Sequence, residues 1–152
     1  MPGHQAGFTL LELMVVLLIV GLLTAVGVAR LGGGSPAGQW RLESLATDFQ
    51  LARDTARRSG RILGWQADAT GFRYLQLVAD AQGSRWQPLA SADLPDGRWP
   101  SGLQLAEPAS AQPRLIWWPN GDTRPQRLAF AEEERQWLLT VDARGRAAVE
   151  RP

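Results

Sequence analysis

Apolar and polar residues follow three successive patterns along this chain of 152 residues. The first pattern is a nearly continuous apolar run, Phe8–Ala29, which is interrupted by Glu12 and two threonines and is closed by Arg30. A bilayer-spanning helix needs roughly 20 apolar residues, so the run predicts a transmembrane helix over residues 8–30. A secretory signal peptide fits less well, because Glu12 interrupts the start of the run and its end has no clear Ala-x-Ala cleavage site.

The second pattern is a helical periodicity that follows a glycine-rich break. Residues 31–38 contain five of the chain's glycines or prolines in close succession, which predicts a hinge between two helical segments. Beyond it, apolar residues recur at three- and four-residue spacing, which predicts an amphipathic helix from about Gln39 to Arg58. The apolar positions are Leu42, Leu45, Ala46, Phe49, Ala52 and Ala56. Ser59 and Gly60 end this predicted helix.

The third pattern begins at Arg61 and consists of short alternating runs separated by turn residues, which is typical of β-strands. The candidate strands are residues 61–67, 72–79, 84–89, 103–107, 114–118, 126–131, 137–142 and 147–150. Ala90–Pro113 is rich in Pro, Ser, Ala and Gly and is predicted to be a long, partly irregular loop. The pattern therefore predicts an α+β fold, with the amphipathic helix packed on antiparallel β-sheet within a globular domain of residues 39–152.

The composition argues against several classes of protein. The formal net charge of +1 gives no general attraction to nucleic acid. The chain has no cysteine, so disulfides and thiolate metal sites are excluded, and His4 is its one histidine. A Ser-His-Asp triad in the body of the chain and a His-rich metal cluster are therefore excluded. Ser59 and Thr140 have no base partner in the sequence pattern, so we expect no enzyme activity, no catalytic residue, no metal and no cofactor.

Two charged clusters are candidate binding sites. Three consecutive glutamates at residues 132–134 resemble an acidic cation site, but a solvated turn between strands is the favoured interpretation because no further ligands are evident. Arg144, Arg146 and Arg151 are dispersed beside acidic residues, which makes them a weak patch for nucleic acid.

The seven tryptophans are expected to lie mostly in the core of the domain. Trp117 and Trp118 are adjacent on a predicted strand, so their side chains should face opposite ways. One of the two is then expected to be buried, and the other is a candidate interface residue.

The string Gly7-Phe8-Thr9-Leu10-Leu11-Glu12-Leu13 at the head of the apolar run needs a physical reason. A carboxylate in a membrane span costs about 2.5–3.5 kcal/mol at the helix centre and less near the interface. If the chain is cut after Gly7, a new amine appears on Phe8, about one helical turn from Glu12. Glu12 of one subunit can pair with the Phe8 amine of its neighbour, and pairing in low dielectric sets the register between subunits.

This string, followed by about 20 apolar residues, resembles the signature of the type IV pilin and type II secretion pseudopilin superfamily. The resemblance implies a pilin-like fold with a leader peptide of residues 1–7 and a prepilin peptidase that cuts between Gly7 and Phe8. It also implies that the peptidase N-methylates Phe8 and that Glu12 acts in subunit assembly. The implied location is the bacterial inner membrane, with a single span and the C-terminal domain in the periplasm.

The body of the chain resembles the minor pseudopilin H family, GspH, which is grouped with the pilin-like FimT. The resemblance rests on Ile116–Gly121, Arg127–Phe130 and Leu139–Gly145, where strands end in Pro-x-Gly and Asp-x-x-Gly turns. It implies a structural subunit of the pseudopilus tip that helps to initiate assembly and to drive folded proteins across the outer membrane. The implied partners are the minor pseudopilins I, J and K and the major pseudopilin, with secreted substrates or the secretin as further candidates.

Two other functions stay open at this point. The nearer one is a minor pilin of a type IV pilus, FimT-like and involved in DNA uptake. The other is a membrane-anchored enzyme or binding protein, which would need a cleft with perturbed acid-base groups, and the sequence shows no such constellation.

Overall fold

A computed structural model describes the backbone of residues 10–31 and 36–150, and the side chains of residues 10–21 and 37–150. The chain divides into two compact units, Met1–Ser35 and Pro36–Pro152. Within the predicted glycine-rich hinge of residues 31–38, residues 32–35 lie outside the described residues, whereas Leu31 and residues 36–38 are helical and not part of a hinge.

The first unit contains helix α1, Leu10–Leu31, which is 22 residues long. At 1.5 Å per residue, its length is about 33 Å. The apolar side chains from Leu10 to Val20 are all exposed within this unit. Among the described residues, no helix combines the length and the apolar character needed to cross a membrane.

The second unit opens with helix α2, Pro36–Ser59. The predicted start at about Gln39 was three residues too late, because Pro36 begins the helix instead of preceding it. Proline suits the first helical position, where its fixed φ matches the helix and its missing N–H has no partner to lose. The predicted end is confirmed: Gly60 follows with a φ of 66°, the left-handed conformation that commonly terminates helices.

Nine strands follow α2 in the described part of the chain. They are β1 Leu63–Ala67, β2 Gly71–Asp80, β3 Gly83–Pro88, β4 Gly97–Arg98, β5 Leu103–Leu105, β6 Leu115–Trp117, β7 Gln126–Glu132, β8 Arg135–Val141 and β9 Ala147–Glu150. All eight predicted strands are present. The strand β4 was missed, because it has only two residues and lies within the predicted loop Ala90–Pro113.

The strands form two antiparallel sheets. The five-stranded sheet has the order β3-β2-β1-β6, and β4 pairs with the start of β2. The four-stranded sheet has the order β5-β7-β8-β9. In the first sheet Trp65 pairs with Tyr74 and Leu115, and in the second Phe130 pairs with Trp137 and Leu105. The α+β class with antiparallel sheets is therefore confirmed.

Aromatic rings connect α2 and the two sheets into one core. The Phe49 ring of α2 lies 5.1 Å from Trp65 and 5.4 Å from Trp117 of the five-stranded sheet. Trp99, which follows β4, lies 6.4 Å from Trp65 and 5.2 Å from Phe130 of the four-stranded sheet. Large rings contribute much buried apolar area at low cost in side-chain entropy, which suits a small domain without disulfides.

Candidate assembly site

Glu12 lies in the first turn of α1 and is exposed within its unit. It is the one charged residue among the described side chains of this helix. A carboxylate in the first turn also interacts favourably with the positive end of the helix dipole. Gly7 and Phe8, the predicted cleavage pair, lie outside the described residues, as does His4.

The surface that surrounds Glu12 is apolar on every side of the helix. Leu11, Leu13 and Met14 are exposed next to it, and Leu10 is 80% exposed. A helix that is apolar all round is normally buried in a membrane or among other helices. Glu12 therefore places one negative charge on an otherwise apolar helix surface. In a membrane, such a charge is stabilised by pairing with a positive group at the same membrane depth.

Two turns of the globular unit lie against the C-terminal half of α2. Gly121 donates its N–H to Trp118 O at 2.8 Å, and Gly145 donates its N–H to Asp142 O at 2.9 Å. Both glycines have positive φ, 87° and 72°. The predicted Pro-x-Gly and Asp-x-x-Gly turns are thus present where the sequence indicated them.

The reason for glycine in these turns was not visible in the sequence. A Cβ added at Gly121 would lie 2.7 Å from Arg57 Cδ, and one added at Gly145 would lie 2.9 Å from Arg53 Cδ. Arg53 also donates its Nη1 hydrogen to Arg144 O at 3.2 Å. The glycines therefore allow the stems of two α2 arginines to lie directly on the turns.

Asp142 holds the second turn together. Its Oδ1 accepts the backbone N–H groups of Arg144 and Arg146, each at 2.9 Å, and its Oδ2 accepts Arg146 Nε at 2.8 Å. These hydrogen bonds, first of all those from Arg146, hold the pKa of the Asp142 carboxyl below its usual value. Arg146, one of the three arginines considered for nucleic acid, is thus engaged within the turn, and Arg151 lies outside the described residues.

The prediction for the adjacent tryptophans is confirmed. Trp117 is 0% exposed in the core, whereas Trp118 is 46% exposed. A second exposed ring, Trp40 on α2, was not singled out in the sequence, although it departs from the apolar spacing of that helix. Trp65, Trp99 and Trp137 are buried, as expected for core tryptophans.

The three glutamates do not form the solvated turn that was expected. Glu133 and Glu134 are exposed in a turn, but Glu132 is the last residue of β7 and is only 4% exposed. The reason is the strand alternation, which points Leu128, Phe130 and Glu132 inward and extends one residue beyond the predicted strand end.

The buried Glu132 carboxylate lies against the first turn of α2. A Cβ at Gly38 would lie 2.5 Å from Glu132 Oε1 and 2.6 Å from Oε2. Neither carboxylate oxygen has a hydrogen-bond partner among the described residues. The described residues also contain no group of three His, Cys, Asp or Glu side chains that could hold a metal ion.

A further cluster of polar side chains links α2 and the five-stranded sheet: Arg41 and Asp48 on α2 interact electrostatically with Tyr74 on β2. Burial raises the pKa of Asp48, against the opposing effect of Arg41, and burial also raises the pKa of Tyr74. The Arg41 guanidinium lies 4.7 Å above the Phe72 ring. Thr140, on the four-stranded sheet, donates its hydroxyl to Ala148 O at 3.4 Å.

Comparison with known proteins gives consistent results along the chain. The family described as type II transport protein GspH matches residues 41–145, and the prokaryotic N-terminal methylation motif matches residues 3–28. The type II secretion system protein H of Aeromonas hydrophila is 30% identical, over 92% of this chain and 89% of its own length. The proteins of the same name from Klebsiella michiganensis and Pseudomonas aeruginosa are 27% and 29% identical, and cover 95% and 90% of this chain and the same shares of their own lengths.

Among solved structures, the minor pseudopilin EpsH from the type II secretion system of Vibrio cholerae has the same fold. One EpsH structure matches with a TM-score of 0.63 at 24% identity, covering 76% of this chain and 98% of EpsH. A second EpsH structure matches with a TM-score of 0.61 at 21% identity.

Proposed function

The chain belongs to the GspH family of type II transport proteins, the minor pseudopilins H of the type II secretion system, and we propose that it is a structural subunit of the pseudopilus tip. In this role it helps to start assembly and to drive folded proteins across the outer membrane. The observation that carries the proposal is the combination, on one chain, of an N-terminal methylation motif at residues 3–28 and a GspH domain at residues 41–145.

Processing is the first step that the proposal requires. Prepilin peptidase removes residues 1–7, cuts between Gly7 and Phe8, and N-methylates the new amine of Phe8. Support comes from the methylation motif that covers this string. Glycine before the scissile bond leaves no side chain to obstruct a protease at the membrane surface, so a bulky residue at Gly7 should leave the precursor uncut.

The second step is anchoring and assembly through α1. We place residues 8–30 in the inner membrane as a single span, with the C-terminal domain in the periplasm. The exposed apolar side chains from Leu10 to Val20 support this, because a lipid bilayer would remove them from water. Glu12 then pairs with the Phe8 amine of a neighbouring subunit, since an unpaired charge at that depth is costly.

The globular domain supplies the contacts that distinguish this subunit from others. Its proposed partners are the minor pseudopilins I, J and K and the major pseudopilin, with secreted substrates or the secretin as further candidates. Trp118 is the candidate contact residue, because exposed tryptophan is enriched at protein interfaces. The DNA-uptake function is not favoured, since the relatives compared are type II secretion proteins and Arg146 pairs with Asp142.

Deletion and restoration of the gene test the proposal in the source organism. Without the chain, substrates of type II secretion should accumulate in the periplasm, whereas pilus-dependent motility and DNA uptake should be unchanged. The intact mass of the membrane form should match a chain that begins with N-methyl-Phe8. Normal secretion together with lost DNA uptake would establish the pilus function instead, and a mature chain that begins elsewhere would refute the cleavage site.

A further inference from the structure

One large apolar side chain, Trp40, lies on the exposed side of α2 and is 66% exposed. The next residues along the same side of the helix are Glu43, Thr47 and Gln50, all polar and exposed. Residues three and four apart share a helix face, so Trp40 is the apolar start of an otherwise polar stripe. Gln39 donates its side-chain N–H to Glu43 Oε1 at 2.7 Å, so the stripe is already polar one helical turn after Trp40.

Core packing does not explain this tryptophan. Of the other six tryptophans, five are buried or half-buried. The sixth, Trp118, is 46% exposed and therefore less exposed than Trp40. No described ring packs on Trp40, although Phe49, nine residues further along the same helix, contacts two tryptophans. Most of the Trp40 ring is therefore open to a partner from outside the domain.

The length of chain between the end of α1 and Trp40 limits which partners the Trp40 side chain can reach. Helix α1 ends at Leu31 and α2 starts at Pro36, and an extended connection of this length spans at most about 17 Å. Trp40 lies four residues into α2, about 6 Å further. If α1 crosses the hydrocarbon core, which is about 30 Å thick, the polar headgroup layer begins where α1 ends. Trp40 is therefore within reach of that layer.

The chemistry of the side chain selects the lipid surface as its cover. Tryptophan is enriched at membrane–water interfaces, where its ring lies among the headgroups and its N–H stays hydrated. The polar stripe that begins with Glu43 suits water or headgroups and does not suit the hydrocarbon core. Trp118 lies at the turn against Arg57, and Arg57 is about 25 Å further along α2.

We propose that Trp40 inserts into the headgroup layer of the phospholipid membrane and holds the first turns of α2 against the lipid surface. This inference rests on the proposed membrane anchoring of α1. The partner is a phospholipid surface, and the contact orients the globular domain before the subunit enters a filament.

Fluorescence quenching in vesicles tests the contact. The full chain is reconstituted in vesicles of phosphatidylcholine and phosphatidylglycerol that contain a headgroup spin-labelled lipid. Residues 8–31 contain no tryptophan, so all tryptophan emission comes from the globular domain. The wild-type chain should lose roughly one-seventh of its emission, given seven tryptophans of similar yield. Trp40→Phe should abolish this loss, and the matched control Trp118→Phe should retain it.

A second label reports on the anchor alone. Because the chain has no cysteine, Leu18→Cys gives one dye position on α1, which an acyl-chain spin label should quench if α1 lies in the bilayer. A quenched Leu18 dye with equal tryptophan quenching in wild type and Trp40→Phe overturns the Trp40 contact and leaves the anchoring intact. An unquenched Leu18 dye overturns the anchoring, and the contact with it. If the protection of Trp40 from solvent depends on the protein-to-lipid ratio and not on the amount of spin-labelled lipid, a neighbouring subunit covers Trp40. That result also overturns the lipid contact.

Discussion

Helix α1 and the globular domain use apolar residues in opposite ways. In α1 the side chains from Leu10 to Val20 are exposed, and a single carboxylate, Glu12, interrupts them. In the domain most of the large apolar side chains are buried around Phe49 and Trp65, and Trp40 and Trp118 are the large apolar side chains that are exposed among its described residues. The apolar surface of α1 therefore depends on what surrounds the chain, whereas the globular domain is stabilised by contacts among its own residues.

The largest effect is expected from Glu12→Ala. Removing a charge favours insertion into lipid, so the variant should still insert and should still be cleaved after Gly7. It should then fail to assemble, because the Phe8 amine of the neighbour is left unpaired at membrane depth. Co-purification with the other pseudopilins and secretion of a reporter substrate measure this.

Two observations keep this test sharp. Glu12→Asp retains the carboxylate but is shorter by one methylene, so a partial defect is expected. The unfolding midpoint of the globular domain should be unchanged in both variants. Complex formation and secretion by Glu12→Ala at wild-type levels would refute the pairing mechanism.

The second effect lies within the domain, at the adjacent pair Trp117 and Trp118. Trp117→Ala removes a fully buried ring that contacts Phe49, so it should cost about 3–5 kcal/mol of unfolding free energy. Trp118→Ala is the matched control and should cost about 0.5 kcal/mol or less. Urea unfolding of residues 36–152 measures both losses. The unfolding midpoints should not depend on reductant, because the chain has no cysteine. Equal losses in the two variants would contradict the assigned faces.

Much of this contrast could be predicted from the sequence, because it depends on local patterns. The Gly7–Glu12 string, the spacing of α2 and the alternation in β2 and β8 are each contained within one short segment. The Pro-x-Gly and Asp-x-x-Gly turns are equally local. These features gave the fold class, the candidate assembly residue Glu12 and eight strands.

The remainder depends on contacts between distant residues. The pairing of β4 with Gly71, the position of Arg57 on Gly121, and the inward position of Glu132 against Gly38 join segments far apart in sequence. Periodicity within one segment carries no information about such pairs. The one local signal that was overlooked is Trp40, an apolar residue outside the apolar face of α2.

The third prediction compares two glycines, one from each region. A Cβ at Gly71 would lie 2.1 Å from the backbone oxygen of Gly97, so Gly71→Ala must displace β4 and should cost about 1–3 kcal/mol. In α1, no described atom lies within 4 Å of a Cβ at Gly21, so Gly21→Ala should leave the stability of the domain unchanged. Thermal unfolding of the full chain in detergent, followed by tryptophan emission, reports on the domain alone. A destabilised domain in Gly21→Ala would show that the two regions are coupled.

The smallest effect concerns Asp48, where the packing of the domain opposes a charge. Burial raises the pKa of Asp48 above its ordinary value of 3.8, and the attraction of Arg41 opposes that shift. A carboxyl with a raised folded-state pKa contributes stability below pH 3.8, and this contribution is lost as the pH rises through the folded-state pKa. Asp48→Asn should therefore stabilise the domain slightly at pH 7, by about 0.5 kcal/mol or less, and this gain should disappear below pH 4.

Asp142 gives the matched control with the opposite sign. Its pKa is lowered by the hydrogen bonds from Arg146 and Arg144, so it contributes stability above its ordinary pKa of 3.8, which is lost as the pH falls through the lower folded-state value. Asp142→Asn should thus destabilise the domain at pH 7, and the difference from wild type should shrink in acid. Urea midpoints from pH 3 to pH 8 measure both variants against wild type. If Asp48→Asn also destabilised the domain at pH 7, the attraction of Arg41 would outweigh the burial of the carboxylate.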